Sequence, residues 1–187
     1  MKIALRGLAL ATIVSVSSLA GVAISADNPM VGGAPMYQTK NIIENAVNSK
    51  DHTTLVAAVK AAGLVKTLEG KGTFTVFAPT NEAFAALPAG TVDTLLKPEN
   101  KAKLTKILEC HVVAAKALST DVAMMVKQDG GEHKVKTVGG CVLTLKDTNG
   151  KVTVTDENGN TANVTIADVL QSNGVIHVVD KVLLPKM

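Results

Sequence analysis

Four histidines, two cysteines and a scatter of acids are the side chains of this 187-residue chain that could do chemistry. His52, His111, His133 and His177 stand far apart, with no His-Glu-x-x-His run and no close pair of the metal-binding type. The sequence therefore predicts neither a metal site nor a cofactor. Asp147, Asp156, Glu157 and Asp168 surround turns, but they lack the ordered spacing of a calcium loop and read as turn formers. There is no Gly-x-Ser-x-Gly elbow to present a nucleophile and no P-loop to cradle a phosphate. An enzyme is not expected. Catalysis would need titratable groups to converge from distant positions.

The role of the cysteines depends on the compartment. Lys2 and Arg6 make a basic start, Leu8–Ala23 an apolar run, and Ala23-Ile24-Ser25-Ala26 offers small residues for cleavage. Residues 1–26 read as a secretory signal, cut after Ser25 or Ala26. As a membrane span the same run would be short, and no cysteine stands at the cleavage site for a lipid anchor. The expected location is secreted or periplasmic, with no stable membrane anchor after cleavage. There Cys110 and Cys141 can form one disulfide, with a single connectivity, or remain two buried thiols; spacing leaves both open. Loss of Lys2 and Arg6 lowers the formal charge from +3 to +1 and removes the only arginine. Without arginine or tryptophan the mature chain lacks bidentate phosphate grips and most stacking platforms, so nucleic acid is excluded as a partner class.

The elements that would position these residues change character along the chain. Residues 27–38 hold Pro29, Gly32, Gly33 and Pro35 and read as an extended leader before a domain over 39–187. Helices follow. One spans Asn41–Asn48; a second is capped by Asp51 and stopped by Gly63; a third is capped by Thr91. A fourth runs over Lys103–Cys110 after Pro98, and a fifth is capped by Ser119 and ended by Gly130-Gly131. His111-Val112-Val113 reads as a short strand. From His133 the apolar period becomes two, with Asn149-Gly150 and Asn158-Gly159 as hairpin signals. Helices first and strands later predict an α+β class with a largely antiparallel sheet.

Two stretches organise the rest. In Thr73–Pro88, alternating Phe74, Val76 and Ala78 make a strand that Pro79 ends, and Thr80 caps a helix carrying Phe84 and Leu87 on one face. Three of the four aromatic residues lie here, so the core should nucleate here. At least two of the three phenylalanines are expected to be buried against Ile176, Val178 and Leu183. The second stretch, Asn173-Gly174 to Pro185, is a turn followed by a nearly unbroken apolar strand.

Together these two stretches resemble the paired signature segments of the fasciclin (FAS1) domain, and the resemblance covers residues 39–185. It implies a single fasciclin-like domain of the secreted bacterial type. Thr80, Asn81, His177 and Asp180 then belong to the structural signature, with Asn81 and Asp180 holding turns and helix ends together. In many members a Tyr-His pair, associated with integrin contact in animals, precedes the short strand. Here the pair is Cys110-His111, and Ala114-Ala115 replaces the Pro-Gly that often follows. Only the histidine carries over, which makes His111, Val112 and Val113 the candidate partner-binding residues; the other reading has His111 packed or bonded near the sheet edge.

Two functions follow as expectations. The first is an exported, non-enzymatic interaction module for a protein or cell-surface partner in adhesion or envelope association. The second is a periplasmic or extracellular small-ligand carrier, which requires an apolar pocket with a few polar groups.

Overall fold

A computed structural model describes residues 28–70 and 72–186; residues 1–26, expected to be a secretory signal, lie outside the described residues. The chain opens with a two-residue hairpin, β1 (Met30–Val31) against β2 (Ala34–Pro35). The leader is thus more than an extended tether, because Val31 and Met36 enter the core at 3% and 1% exposure. Gly32 permits this docking: a Cβ there would lie 2.3 Å from Ser49 Oγ.

Six helices form one layer: α1 (Ile42–Ala46), α2 (Thr53–Ala62), α3 (Val65–Glu69), α4 (Asn81–Ala85), α5 (Thr91–Leu95) and α6 (Lys101–Glu109). Asn41 caps α1 in a reciprocal box, accepting from Glu44 N–H at 2.9 Å while the Glu44 carboxylate accepts from Asn41 N–H at 2.8 Å. Three expected caps are corrected. Asp51 lies inside a 3₁₀ turn, Lys50–His52, and the first turn of α2 is instead capped from another segment by Asn81. Gly90, in the left-handed region at φ 79°, occupies the cap of α5 and leaves Thr91 as its first helical residue. Leu118 precedes α7 (Ser119–Gln128), and Ser119 gives its N–H and hydroxyl to Asp168, a charged acceptor that outcompetes a local cap.

The remaining strands are β3 (Phe74–Pro79), β4 (Val112–Val113), β5 (His133–Lys136), β6 (Val142–Thr148), β7 (Lys151–Thr155), β8 (Thr161–Gln171) and β9 (Gly174–Val179). They make one seven-stranded sheet in the order β4-β3-β9-β8-β7-β6-β5. Among the described strands only the β3–β9 pair is parallel, and it joins the two signature stretches in register, Phe74 opposite Gly174 through Pro79 opposite Val179. Alternation along these strands divides the core. Val76, Ala78, Ile176 and Val178 face the helical layer with Phe84, whereas Phe77 and Val179 join Leu183, α7 and the β6–β8 face. Phe77 and Phe84 are buried and Phe74 is half-buried, as the burial pattern of the first stretch predicted.

The two Asn-Gly turns differ. Asn149 and Gly150, at φ 55° and 80°, close a two-residue hairpin between β6 and β7. Asn158-Gly159 instead sits in a five-residue loop between β7 and β8 wrapped around the Asp156 carboxylate, which accepts from Asn158, Asn160 and Leu184 N–H at 2.9 Å each.

Candidate functional site

Every signature side chain is spent on another backbone. Thr80 Oγ1 accepts from Ala83 N–H at 3.3 Å and starts α4. Asn81 bridges three groups: Oδ1 accepts from Thr54 N–H at 3.0 Å and from the Thr53 hydroxyl at 3.2 Å, and Nδ2 donates to Lys50 C=O at 2.8 Å. It ties α4 to the start of α2. Asp180 takes both Asn163 N–H and Asn163 Nδ2 at 2.7 Å, pinning the end of β9 to β8.

His177 stacks on Phe77 across the parallel pair, ring centroids 5.8 Å apart. Its Nε2 donates to Ala117 C=O at 2.9 Å, and its Nδ1 accepts from Asp168 N–H at 3.3 Å. Asp168 holds φ 58° at the irregularity of β8 and accepts from Ser119 N–H at 2.7 Å. The imidazole thereby fixes the crossing from β4 to α7. Burial lowers the His177 pKa, opposed by the Ala117 carbonyl and the Asp168 charge.

His111 is packed inward, at 2% exposure. Nδ1–H donates to Ile107 C=O at 2.8 Å, and Nε2 accepts from Leu183 N–H at 2.9 Å. Both nitrogens are occupied, which selects the Nδ1–H tautomer and joins the end of α6 to the C-terminal segment. Burial pushes its pKa down to about 4, against weaker opposing effects from the Ile107 carbonyl and Asp156. Val112 is buried as well, and Val113 is half-buried. The patch that the resemblance pointed to is a clamp on its interior side: a strand wedged between β3 and the turn before β6 cannot also present a histidine to solvent. Cys110 and Cys141 are joined as a disulfide beside it, Cα atoms 5.4 Å apart. Gly139 N–H to Glu109 C=O at 3.1 Å and Val138 N–H to Val112 C=O at 2.8 Å dock the same turn.

Burial of three histidines makes stability depend on pH. His52, His111 and His177 all have lowered pKa values, chiefly through burial. In the unfolded chain they titrate near 6.5, so below that pH the unfolded state binds more protons and stability falls with pH. Stability should be level above about pH 7 and decline from about 6.5 toward 4. His111 alone would cost about 2 kcal/mol at pH 5. A thermal-unfolding series between pH 8 and pH 4.5 checks this; a midpoint that rises on acidification contradicts it.

Several supporting residues have partners that sequence spacing does not reveal. Asn173 reads as a turn residue, yet its Oδ1 accepts from Ile42 N–H at 3.1 Å and its Nδ2 donates to Leu68 C=O at 2.7 Å. These partners are 131 and 105 residues away. Gly174 is required because a Cβ would lie 2.1 Å from Phe74 C=O, where β9 enters against β3. Asn45 is fully buried and holds Tyr37 through two backbone bonds, at 3.0 and 2.7 Å, with Gln171 as a third partner. No group of three or more metal-ligating side chains occurs among the described residues. Among the described residues no helix is long and apolar enough to cross a membrane. His133 lies apart from the other histidines, with Nδ1 2.6 Å from Asp129 Oδ2.

Two cavities stand out among the described residues. One is a narrow apolar cleft of about 50 Å³ between α1, α2 and the β3–β9 face, with His52 and His111 in its wall. The other is an open groove of about 470 Å³ among α5, α6 and Leu184.

Known proteins resemble this chain in sequence and in fold. The fasciclin domain family model matches residues 50–185, a span holding both signature stretches and every clamp residue from Asn81 to Asp180. Protein sll1483 of Synechocystis is 51% identical over 158 residues, covering 84% of this chain and 81% of that protein. The transforming growth factor-beta-induced protein ig-h3 of Sus scrofa is 40% identical over 131 residues, 70% of this chain but only 17% of that protein. The structure of a FAS1 domain pair from the insect cell adhesion molecule fasciclin I superposes with a TM-score of 0.69 at 18% identity, over 78% of this chain and 51% of that one. The family match over residues 50–185 and the 51% identity along most of both chains show that the chain belongs to the fasciclin domain family.

Proposed function

We propose that this protein is an exported, non-enzymatic interaction module that acts through its exterior in adhesion or cell-envelope association. The observation that carries the reading is the commitment of signature polar groups to internal bonds. Thr80 caps its own helix, Asn81, His177 and Asp180 each bond another segment of the fold, as does the candidate His111, and no nucleophile–base–orienter set is left over among the described residues. The one serine–histidine contact among the described residues, Ser49 Oγ to His52 Nδ1 at 2.9 Å, is buried on both sides and has no carboxylate hydrogen-bonded to the ring. Shared fold with an insect cell adhesion molecule supports the partner class, a protein or cell surface, without fixing it. Export rests on the order of charge, apolar run and small residues in positions 1–26.

Burial recasts the candidate patch. His111 and Val112 support the surface from beneath, and Val113 is the member that reaches the exterior. A labelled chain beginning at Asp27, titrated against a native envelope fraction, should bind saturably and be displaced by unlabelled protein. Binding that never saturates, or turnover of a substrate by the purified chain, overturns the reading.

A further inference from the structure

The cleft of about 50 Å³ between the helical layer and the sheet has walls of Val59, Leu68, Val76, Ala78 and Ile176. His52 also lines it, at 3% exposure, and His52 Nε2 is the buried side-chain polar atom without a hydrogen-bond partner among the described residues. The Ala78 carbonyl lies near enough to favour a proton on this ring, yet it does not complete a hydrogen bond to Nε2. At the other ring nitrogen, Nδ1 meets Ser49 Oγ at 2.9 Å. That hydroxyl has no other acceptor among the described residues, so it donates to Nδ1 and leaves the proton on Nε2. A buried N–H without an acceptor costs free energy that a ligand oxygen would recover. The lining residues that reach the surface, Ala46, Val56, Lys60 and Val65, place the mouth among α1, α2 and α3.

We propose that this cleft is a binding site for a small, neutral carbonyl compound whose oxygen accepts from His52 Nε2–H. The chemistry selects each property. The interior walls are apolar and would strip an ion of its hydration, the one charged lining side chain, Lys60, standing at the exposed mouth. The single donor selects one acceptor oxygen. The volume is about a third of the roughly 150 Å³ apolar cavity that holds benzene, which limits the guest to a few heavy atoms. The site is internal and independent of the surface-binding function.

Acetone and isobutene test it, because they share shape and differ in the oxygen. Methyl and imidazole NMR resonances of the full mature chain are followed during titration with each. Acetone should give saturable shifts at the Val59, Val76 and Ile176 methyls and at His52 Nε2. In His52→Leu the acetone-to-isobutene affinity ratio should fall about tenfold, one hydrogen bond's worth. The wild-type titration stands on its own if that variant does not fold. Shifts that stay linear in acetone, a ratio unchanged by folded His52→Leu, or a water retained at Nε2 throughout the titration each overturn the proposal.

Discussion

Phe84→Ala is expected to lower folding stability by about 3–5 kcal/mol. Phe84 is 5% exposed and packs in the cluster that holds Val76, Ala78, Ile176 and Val178. It anchors α4 to the face of the parallel β3–β9 pair. The backbone at this point is held by the Thr80 cap and by three Asn81 bonds, so the helix cannot slide inward to fill the gap. The loss should therefore include both the transfer of the ring and the cavity left behind. For a domain of this size it corresponds to a fall in Tm of roughly 10 °C or more. Urea titration followed by circular dichroism measures it, and an unchanged midpoint would show that the ring contributes little to the core.

Reduction of the Cys110–Cys141 bond is expected to have the next largest effect. The cysteines are 31 residues apart in sequence. Loop-closure entropy for a ring of that size gives about 3–4 kcal/mol under the chain-entropy model. The bond also pins the turn before β6 to the end of α6, where Lys106 donates to Gly139 C=O. A paired Cys110→Ser, Cys141→Ser variant and the reduced wild type should unfold at the same, lower denaturant concentration. Equal midpoints for oxidised and reduced wild type would remove the disulfide from the energetics.

The two signature stretches were legible because their meaning is local. Alternating apolar residues, a proline stop and a threonine cap predict a strand–turn–helix wherever they occur, and β3 with α4 fulfils that prediction. The switch of period near His133 likewise matches the start of β5. What sequence spacing does not encode is which distant groups meet. Asn173 bonds Ile42 and Leu68, Asn81 caps a helix it does not belong to, and Asp156 receives Leu184 N–H. Asp51, Thr91 and Ser119 were sound cap candidates by type, but a tertiary acceptor or a left-handed glycine took the position. The hairpin at residues 30–35 was hidden by its glycines and prolines, which read as an extended leader until the core is in place to receive Val31 and Met36.

His111 shows the same limit at the candidate site. A histidine beside a short apolar strand is compatible with a surface contact or with a core bond, and only the partners decide. Here the partners are Ile107 C=O and Leu183 N–H, and the ring closes the domain from within. On the proposed reading, the signature polar residues and His111 build the fold and binding is left to the exterior. A ¹⁵N NMR pH titration of the imidazoles tests this most directly. His111 should remain neutral, protonated on Nδ1, until the pH approaches about 4. A His111 ring that titrates near the ordinary value of about 6.5, with solvent-exposed nitrogens, would contradict it.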